Sequence, residues 1–144
     1  MKKLALAAIL AVSTMGVSMA DVDSEKVIDY RQAAFKVAGW NMGILGGMLK
    51  GEIEYNPEEA VAAAKRINEM AKAVGATFVD GTYEGSNASP KIVEERADFD
   101  KKLAAFIQES DVMVEAAGEK KTLAAQMGKL GGTCKSCHDS YKVD

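Results

Sequence analysis

Apolar residues recur every three or four positions along four separate stretches of the chain, which is the period of an α-helix that buries one face. Stretches that alternate apolar and polar residues, the pattern of a half-buried strand, are nearly absent. The pattern therefore predicts four amphipathic helices and no sheet. The four predicted buried stripes consist of Val27, Tyr30, Ala34, Ala38, Met42, Leu45 and Leu49; of Val61, Ala64, Ile67, Ala71 and Val74; of Ile92, Phe99, Leu103, Phe106, Ser110, Met113 and Ala117; and of Leu123, Met127, Leu130, Cys134, Cys137, His138 and Tyr141.

Helix start and stop signals separate these stripes. Gly51 and Gly118 follow the first and third stripes, where a glycine commonly ends a helix. The dipeptides Asn56-Pro57 and Ser89-Pro90 precede the second and third stripes, and each joins an N-cap residue to a proline at the first helical position. The helical pattern ends in residues 75–89, which contain Gly81, Gly85, Ser86 and Asn87, and this range is predicted as a loop. Helices joined in this way predict an all-α four-helix bundle.

The first twenty residues have the three parts of a secretory signal peptide. The basic start Met1-Lys2-Lys3 precedes an unbroken apolar run at residues 4–12, and the small residues Ser18 and Ala20 occupy the positions that a signal peptidase reads. The apolar run is too short to span a bilayer. Residues 1–20 are therefore predicted to be cleaved, which exports residues 21–144 to the periplasm as one domain. A domain of this size buries about two-thirds of the surface of its unfolded chain.

The predicted mature chain is acidic, because removal of Lys2 and Lys3 with the signal leaves 16 basic residues against 21 acidic ones. Nucleic acid is bound mainly through clustered lysine and arginine on its phosphates. The charge balance therefore argues against a nucleic-acid partner. No later segment resembles a transmembrane helix, so the domain is not expected to span a membrane.

The chemistry of the chain is concentrated near its C-terminus, where residues 134–138 read Cys-Lys-Ser-Cys-His. This spacing is the attachment motif of c-type haem. Two thiols three residues apart lie on one helical face, so both can form thioethers with the two vinyl groups of one porphyrin. The motif predicts one covalent haem c per chain, bonded to Cys134 and Cys137, with His138 as the proximal axial ligand of the iron.

Three other roles for the motif are less well supported. A thioredoxin-like redox pair lies at a helix start after a strand, where the helix dipole lowers the thiol pKa, whereas this pair lies near a helix end. A structural zinc site needs further Cys or His ligands, and the chain has only two cysteines and one histidine. A simple disulfide would leave the adjacent histidine without a role.

The position of the motif restricts the second iron ligand. Only six residues follow His138, so a methionine from downstream, as in the small cytochromes c that begin with this motif, is impossible. Any sixth ligand has to come from an earlier helix.

The chain resembles the cytochrome c′ family over essentially the whole predicted mature domain. Cytochrome c′ is itself an example of an antiparallel up-down-up-down four-helix bundle, so the resemblance implies that topology, with haem c near the bundle end. It implies electron transfer or gas binding and not an enzyme, since no second titratable group is recognisable near the iron. The residues that carry the resemblance are Tyr30-Arg31-Gln32, Asn41-Met42-Gly43, Lys50-Gly51-Glu52, Pro90, Ala97-Asp98-Phe99 and the terminal Cys-x-x-Cys-His-Asp.

Two functional types of this family differ at one position of the first helix. One type places a methionine on the iron and is a six-coordinate, low-spin electron carrier, as in cytochrome c556. The other type has an apolar residue there and leaves the iron five-coordinate and high-spin. Alignment on Tyr30-Arg31-Gln32 puts Phe35 at this position, and phenylalanine has no lone pair for iron. The resemblance thus implies a five-coordinate iron that binds NO and CO, with electron transfer to a periplasmic redox partner as a further role.

The six-coordinate type remains an alternative. Among the methionines of the mature chain, Met42 is the nearest to Phe35 on the first helix, seven residues later and about 10 Å further along the axis. Core packing is the more usual role for such a methionine.

The resemblance also implies contact roles for four other residues. Arg31 and Gln32 match positions that contact a haem propionate, and a salt bridge suits Arg31; a solvated helix face is the alternative for both. Phe78 matches a second aromatic residue near the distal pocket, or it is an ordinary loop anchor. Lys142, one helical turn after His138, matches a basic residue beside the proximal imidazole, and it also suits the negative end of the helix dipole.

The resemblance implies a homodimer that forms through the first two helices. Small residues allow close approach of helices, either between two subunits or within one bundle. The glycines of the first helix that offer such an approach are Gly39, Gly43, Gly46 and Gly47.

Overall fold

The computed structural model describes residues 23–143, which fold into five α-helices without a β-strand. The predicted signal peptide at residues 1–20 lies outside the described residues. Within residues 23–143, no helix is both long and apolar enough to cross a membrane. The helices are α1 (Ser24–Lys50), α2 (Pro57–Val74), α3 (Lys91–Glu94), α4 (Arg96–Ala116) and α5 (Lys120–Tyr141), and a 3₁₀ turn at Gly75–Thr77 follows α2.

The boundaries between α1 and α2 are set by the residues that the sequence predicts. Gly51 follows the last residue of α1 with φ of 78°, a left-handed conformation that glycine adopts without the steric cost of a Cβ. The side chain of Asn56 accepts hydrogen bonds from the backbone N–H groups of Glu58 (2.9 Å) and Glu59 (3.1 Å). These donors have no partner within the helix, so Asn56 stabilises the start of α2, and both predicted boundaries are confirmed.

The third predicted helix is interrupted, and the expectation of one continuous helix over the third stripe is wrong. The N-cap position of α3 is Pro90 and not the predicted Ser89, although Oγ of Ser89 accepts a hydrogen bond from the N–H of Lys91 (3.3 Å). The backbone then leaves helical geometry at Glu95, with φ of −107° and ψ of 33°. The Glu95 carboxylate pairs with Lys91 (3.1 Å) and accepts a hydrogen bond from Tyr141 of α5 (3.1 Å). These contacts stabilise the break between α3 and α4.

The four long helices pack in the order in which they follow one another along the chain, α1 on α2, α2 on α4 and α4 on α5. They form the predicted four-helix bundle. A central apolar cluster fills its middle and includes Leu45, Ile67, Met113, Leu123 and Leu130. A second, more aromatic cluster lies near the end of α5 and includes Phe78, Tyr83, Ile92, Phe99 and Tyr141.

The buried face of α1 differs from the predicted stripe at three positions, because Arg31, Asn41 and Met48 are buried, whereas Tyr30 is exposed and Met42 and Leu49 are only partly buried. Tyr30 is 47 % exposed, whereas its neighbour Arg31 is only 2 % exposed. The prediction that Tyr30 is buried is therefore wrong. At the edge of a stripe the helical period permits either neighbour to face inward, and the contacts of Arg31 with the loop decide between them.

The loop at residues 78–90 is attached to the C-terminal end of α5. The N–H of Ser89 donates to the carbonyl of Tyr141 (2.8 Å), and the N–H of Val143 donates to the carbonyl of Asn87 (3.0 Å). These bonds hold the loop beside the helix that carries the Cys-x-x-Cys-His motif.

Candidate functional site

A cavity of about 500 Å³ opens between α1, α4, α5 and the loop. The eight candidate site residues come from three separate parts of the chain, and all of them line it. They are Arg31, Gln32, Phe35, Phe78, Cys134, Cys137, His138 and Lys142. The structure therefore brings the whole predicted set together in one place.

The α5 wall of the cavity carries the thiols and the imidazole. Cys134 and Cys137 are partly buried free thiols. Burial raises the pKa of both, so they lack the lowered pKa of a catalytic redox pair. His138 is exposed, so the prediction that it continues the buried stripe of the last helix is wrong. Partial desolvation of its ring, and then the positive charge of Lys142, lowers the pKa of His138. At neutral pH the imidazole is therefore neutral and keeps a lone pair for a metal.

No other ligands surround these cysteines to complete a zinc site. In the part of the chain that the structure describes, no three His, Cys, Asp or Glu residues lie together so that they could hold a metal ion. A metal bound at His138 therefore has to bring its own equatorial ligands, as the iron of a porphyrin does.

Phe35 of α1 faces His138 across the cavity. The centroids of the two rings are 6.5 Å apart, and their planes meet at 73°. Phe78 lies edge-on to Phe35 at 6.4 Å and packs against Phe99 at 4.6 Å. Phe78 is thus both a buried loop anchor and part of the cavity wall. The rings opposite the imidazole offer neither a lone pair nor a conventional hydrogen-bond donor.

Met42 lines the same cavity. It is partly buried on α1, seven residues after Phe35. Phe35, the distal residue of the five-coordinate type, and Met42, the candidate iron ligand of the six-coordinate type, therefore line the same cavity. The position of the Phe35 ring opposite His138, with the ring centroids 6.5 Å apart, favours the five-coordinate type.

Arg31 is buried and connects α1 to the loop. Its Nη1 donates to the carbonyl of Thr77 (2.8 Å) and to Oγ1 of Thr82 (3.1 Å), and its Nη2 donates to the carbonyl of Thr82. The guanidinium carbon lies 4.9 Å from the ring centroid of Phe78. A solvated helix face is therefore excluded for Arg31. Thr77 of the 3₁₀ turn and Thr82 of the loop together occupy three of the five guanidinium N–H donors, which leaves two for a carboxylate in the cavity.

The other two predicted polar residues lie at the edge of the cavity. Gln32 is partly buried and donates to Oδ1 of Asn87 in the loop (3.4 Å). Lys142 follows the last residue of α5 with extended backbone, and its N–H donates to the carbonyl of His138 (3.1 Å). Lys142 is thus held one turn beyond His138 although it no longer belongs to the helix.

The cavity lining is basic in an acidic chain. Arg31, Lys36, Lys102 and Lys142 line it, and none of the described residues that line it is Asp or Glu. Lys36 lies one turn after Gln32, so the helical period could have indicated it. Lys102 of α4 donates to Oγ of Ser136 within the Cys-x-x-Cys-His motif (3.2 Å), and no sequence signal pointed to it.

These features fit a porphyrin that carries iron. The apolar and aromatic walls suit the macrocycle, and two thiols on one helix face suit its two vinyl groups. The neutral imidazole suits the iron. The cations Arg31, Lys36, Lys102 and Lys142 suit the two propionates, although Lys102 also pairs with Asp98 (3.5 Å).

Comparison with known proteins finds relatives over nearly the whole described chain. Residues 26–142 match the family described as Cytochrome C′. A cytochrome c′ from Halomonas halodenitrificans is 32% identical over 85% of this chain and 99% of the relative. A cytochrome c-556 from Agrobacterium tumefaciens is 33% identical over 81% of this chain and 96% of the relative. A solved nitric oxide complex of a mutant cytochrome c prime from Alcaligenes xylosoxidans superposes with a TM-score of 0.79 at 30% identity, over 85% of this chain and 98% of that chain.

Proposed function

This chain belongs to the cytochrome c′ family, whose members carry covalently bound haem c, and we propose that it holds one haem through thioethers from Cys134 and Cys137. His138 is the axial ligand in this proposal. The support is that both thiols and the neutral imidazole line one wall of one cavity. Arg31 and Gln32 bind a propionate, and Lys142 provides a positive charge beside the imidazole.

The proposed function is binding of small diatomic gases, NO and CO, at a five-coordinate, high-spin iron. The observation that carries it is the 6.5 Å contact between the rings of Phe35 and His138. Because Phe35 faces the imidazole and has no lone pair, the iron face on its side is left without a protein ligand. A bound haem would supply the open coordination position on iron that takes up the gas. The protein controls access through Phe35 and Phe78.

The aromatic wall also favours NO and CO over oxygen. Bound oxygen carries partial negative charge, which a nearby hydrogen-bond donor stabilises. Phe35 and Phe78 provide no such donor, whereas NO and CO bind ferrous haem without one. The nitric oxide complex of the Alcaligenes xylosoxidans relative supports the same ligand class. Electron transfer to a periplasmic redox partner is a second role of the same haem.

Absorption spectra of the ferrous protein with and without CO test this proposal. We expect a high-spin spectrum that shifts on CO addition, because the iron has an open face. Replacement of Phe35 by Ala is expected to speed CO uptake by removing the ring that crowds this face. Unchanged uptake in Phe35→Ala would place the ring outside the path of the gas, and a low-spin spectrum without CO would contradict the open iron.

A six-coordinate, low-spin electron carrier is the alternative function. Two observations favour it: Met42 lines the cavity, and cytochrome c-556 proteins are among the relatives. A methionine–iron charge-transfer band in the ferric spectrum, lost in a Met42→Leu variant, would establish this alternative.

Export to the periplasm is part of the proposal. Its support is the order of charged, apolar and small residues at positions 1–20. The N-terminal sequence of the purified protein tests it, and the expected first residue is Asp21.

We also propose that the protein is a homodimer that associates through α1. Tyr30, Val37 and Trp40 lie on one side of this helix and are exposed, Trp40 by 74 %. Large apolar side chains that share an exposed face commonly mark a protein–protein interface. A second copy of α1 is the occupant that the family resemblance implies.

A charge on this face is expected to separate the subunits. Val37→Glu should shift the sedimentation coefficient from that of a dimer to that of a monomer, because dimerisation would bury the new carboxylate. Val112→Glu on α4 is the matched control, since Val112 is 42 % exposed and Val37 is 41 % exposed. A monomeric wild-type protein, or a dimeric Val37→Glu variant, would contradict this interface.

A further inference from the structure

The hydroxyl group of Tyr141 donates to the carboxylates of Glu95, at the break between α3 and α4, and of Asp98 on α4. Its oxygen lies 2.7 Å from Oδ2 of Asp98 and 3.1 Å from Oε2 of Glu95. The residue is only 3 % exposed, and its ring lines the cavity and packs edge-on against Phe99 at 5.5 Å. Both carboxylates belong to exposed residues. Tyr141 therefore connects the proposed haem pocket to carboxylates that reach solvent.

The other three tyrosines lack this combination of contacts. Tyr30 is exposed, Tyr55 donates to the carbonyl of Ala117 (2.8 Å), and Tyr83 lies with its ring centroid 6.0 Å from the guanidinium carbon of Arg31. None of these three is among the described residues that line the cavity. Tyr141 is thus the tyrosine that is placed to exchange an electron with a bound haem.

The two carboxylates suit Tyr141 to oxidation that is coupled to proton loss. A phenol that loses one electron becomes a strong acid, so its oxidation requires a nearby proton acceptor. Burial and the hydrogen bonds to Asp98 and Glu95 raise the pKa of Tyr141, so at neutral pH the phenol keeps its proton until it is oxidised. The hydrogen bond from Tyr141 lowers the pKa of Asp98, so this acceptor is ionised and available.

We propose that Tyr141 donates one electron to the haem when a hydroperoxide has oxidised it, and that Asp98 accepts the phenolic proton. The inference rests on the proposed open iron face, since the peroxide has to reach the metal. A bound haem would supply the two electrons that, with two protons, reduce hydrogen peroxide to two waters. Tyr141 returns one of these electrons. Its O–H bond breaks, the proton passes to Oδ2 of Asp98, and a neutral tyrosyl radical remains.

This transfer protects the haem. A small one-electron donor such as ascorbate would supply the second missing electron, and a second equivalent of the same donor would return an electron and a proton to the tyrosyl radical. The radical stays at the bundle edge beside exposed carboxylates instead of on the macrocycle. A purely structural role of Tyr141, linking the start of α4 to the end of α5, predicts the same hydrogen bonds without any radical.

Electron paramagnetic resonance of the ferric haem protein, frozen within seconds of mixing with hydrogen peroxide, tests the proposal. We expect a tyrosyl signal in the wild type and at least a tenfold weaker one in Tyr141→Phe, which keeps the ring that packs on Phe99. The haem of Tyr141→Phe should also bleach faster per equivalent of peroxide. Tyr83→Phe is the matched control and should keep the wild-type signal.

The role of the proton acceptor is tested separately. Asp98→Asn combined with Glu95→Gln keeps oxygen atoms that accept the hydrogen bond, but neither amide takes up the proton. Radical formation should slow several-fold in this double variant, whereas the haem spectrum before peroxide should not change. An unchanged rate would overturn the assignment of the proton to Asp98.

Binding of CO to the same ferrous preparations separates this inference from the proposed function. If CO binds but the wild type forms no tyrosyl radical, electron transfer from Tyr141 is overturned and gas binding stands. The same conclusion follows if CO binds and Tyr141→Phe keeps the radical signal. If CO does not bind, the open iron face is overturned, and the proposed electron transfer from Tyr141 is overturned with it.

Discussion

A Phe35→Met variant is expected to lose most of its affinity for CO and to change from a high-spin to a low-spin haem protein. Phe35 faces the imidazole of His138, so a methionine at this position puts a thioether sulfur where the sixth ligand of the iron belongs. CO then has to displace that sulfur. If the sulfur occupies the iron in 99 of 100 molecules, the apparent affinity for CO falls about 100-fold. Absorption spectra and CO titration of the ferrous variant measure both effects.

Phe35→Leu is the matched control, because leucine fills similar space but cannot ligate iron. It should remain high-spin and should bind CO. If Phe35→Met also remains high-spin, residue 35 does not lie over the iron and the proposed site geometry is wrong. Comparison of the two variants thus separates the effect of a sulfur ligand on the iron from the effect of a smaller side chain.

Replacement of Arg31 by Met is expected to cause the largest loss of stability among single changes at the site. The guanidinium donates to the carbonyls of Thr77 and Thr82, in a buried region that joins α1 to the loop. Removal of the donors takes the guanidinium bond from the carbonyl of Thr82 and leaves that of Thr77 with only the 3.3 Å bond from Oγ1 of Thr82, at a cost of about 2–4 kcal/mol. The thermal midpoint of the haem protein, followed by far-ultraviolet circular dichroism, should fall by roughly 10–15 °C.

Two controls identify the cause of this loss. Arg31→Lys keeps the charge but not the planar fork of donors, so its loss should be intermediate. Lys129→Met removes an exposed cation of α5 and should change the free energy of unfolding by less than about 0.5 kcal/mol. Equal melting of Arg31→Met and the wild type would show that the loop does not depend on the guanidinium.

The helix boundaries and the haem motif could be predicted from the sequence because their causes are local. Asn56 caps α2 by bonding to backbone groups two and three residues away. Gly51 ends α1 because its own φ is positive. Cys134, Cys137 and His138 come together because a helix places residues three and four apart on one face. Neighbouring residues are sufficient for each of these interactions.

The sequence also indicated the residues that would meet at the site, but the resemblance to a family supplied most of them. Phe35 was selected by alignment with the family. The helical period alone would equally have permitted Phe35 to pack in the core. The structure places it opposite His138, which lies about a hundred positions later in the chain. The folded bundle is therefore needed to see why this phenylalanine faces the imidazole.

Tertiary structure alone determined the features that depend on distant partners. Burial of Arg31 in place of Tyr30 depends on two carbonyls about fifty residues away, and the helix break at Glu95 coincides with its contact to Tyr141. The contact of Lys102 with the haem-binding motif is of the same kind. Hydrophobic period reports which face of a helix avoids water, but it carries no information about which side chain of another helix meets that face. Short-range backbone chemistry therefore determined the elements of this protein, and long-range packing decided the polar contacts around its cavity.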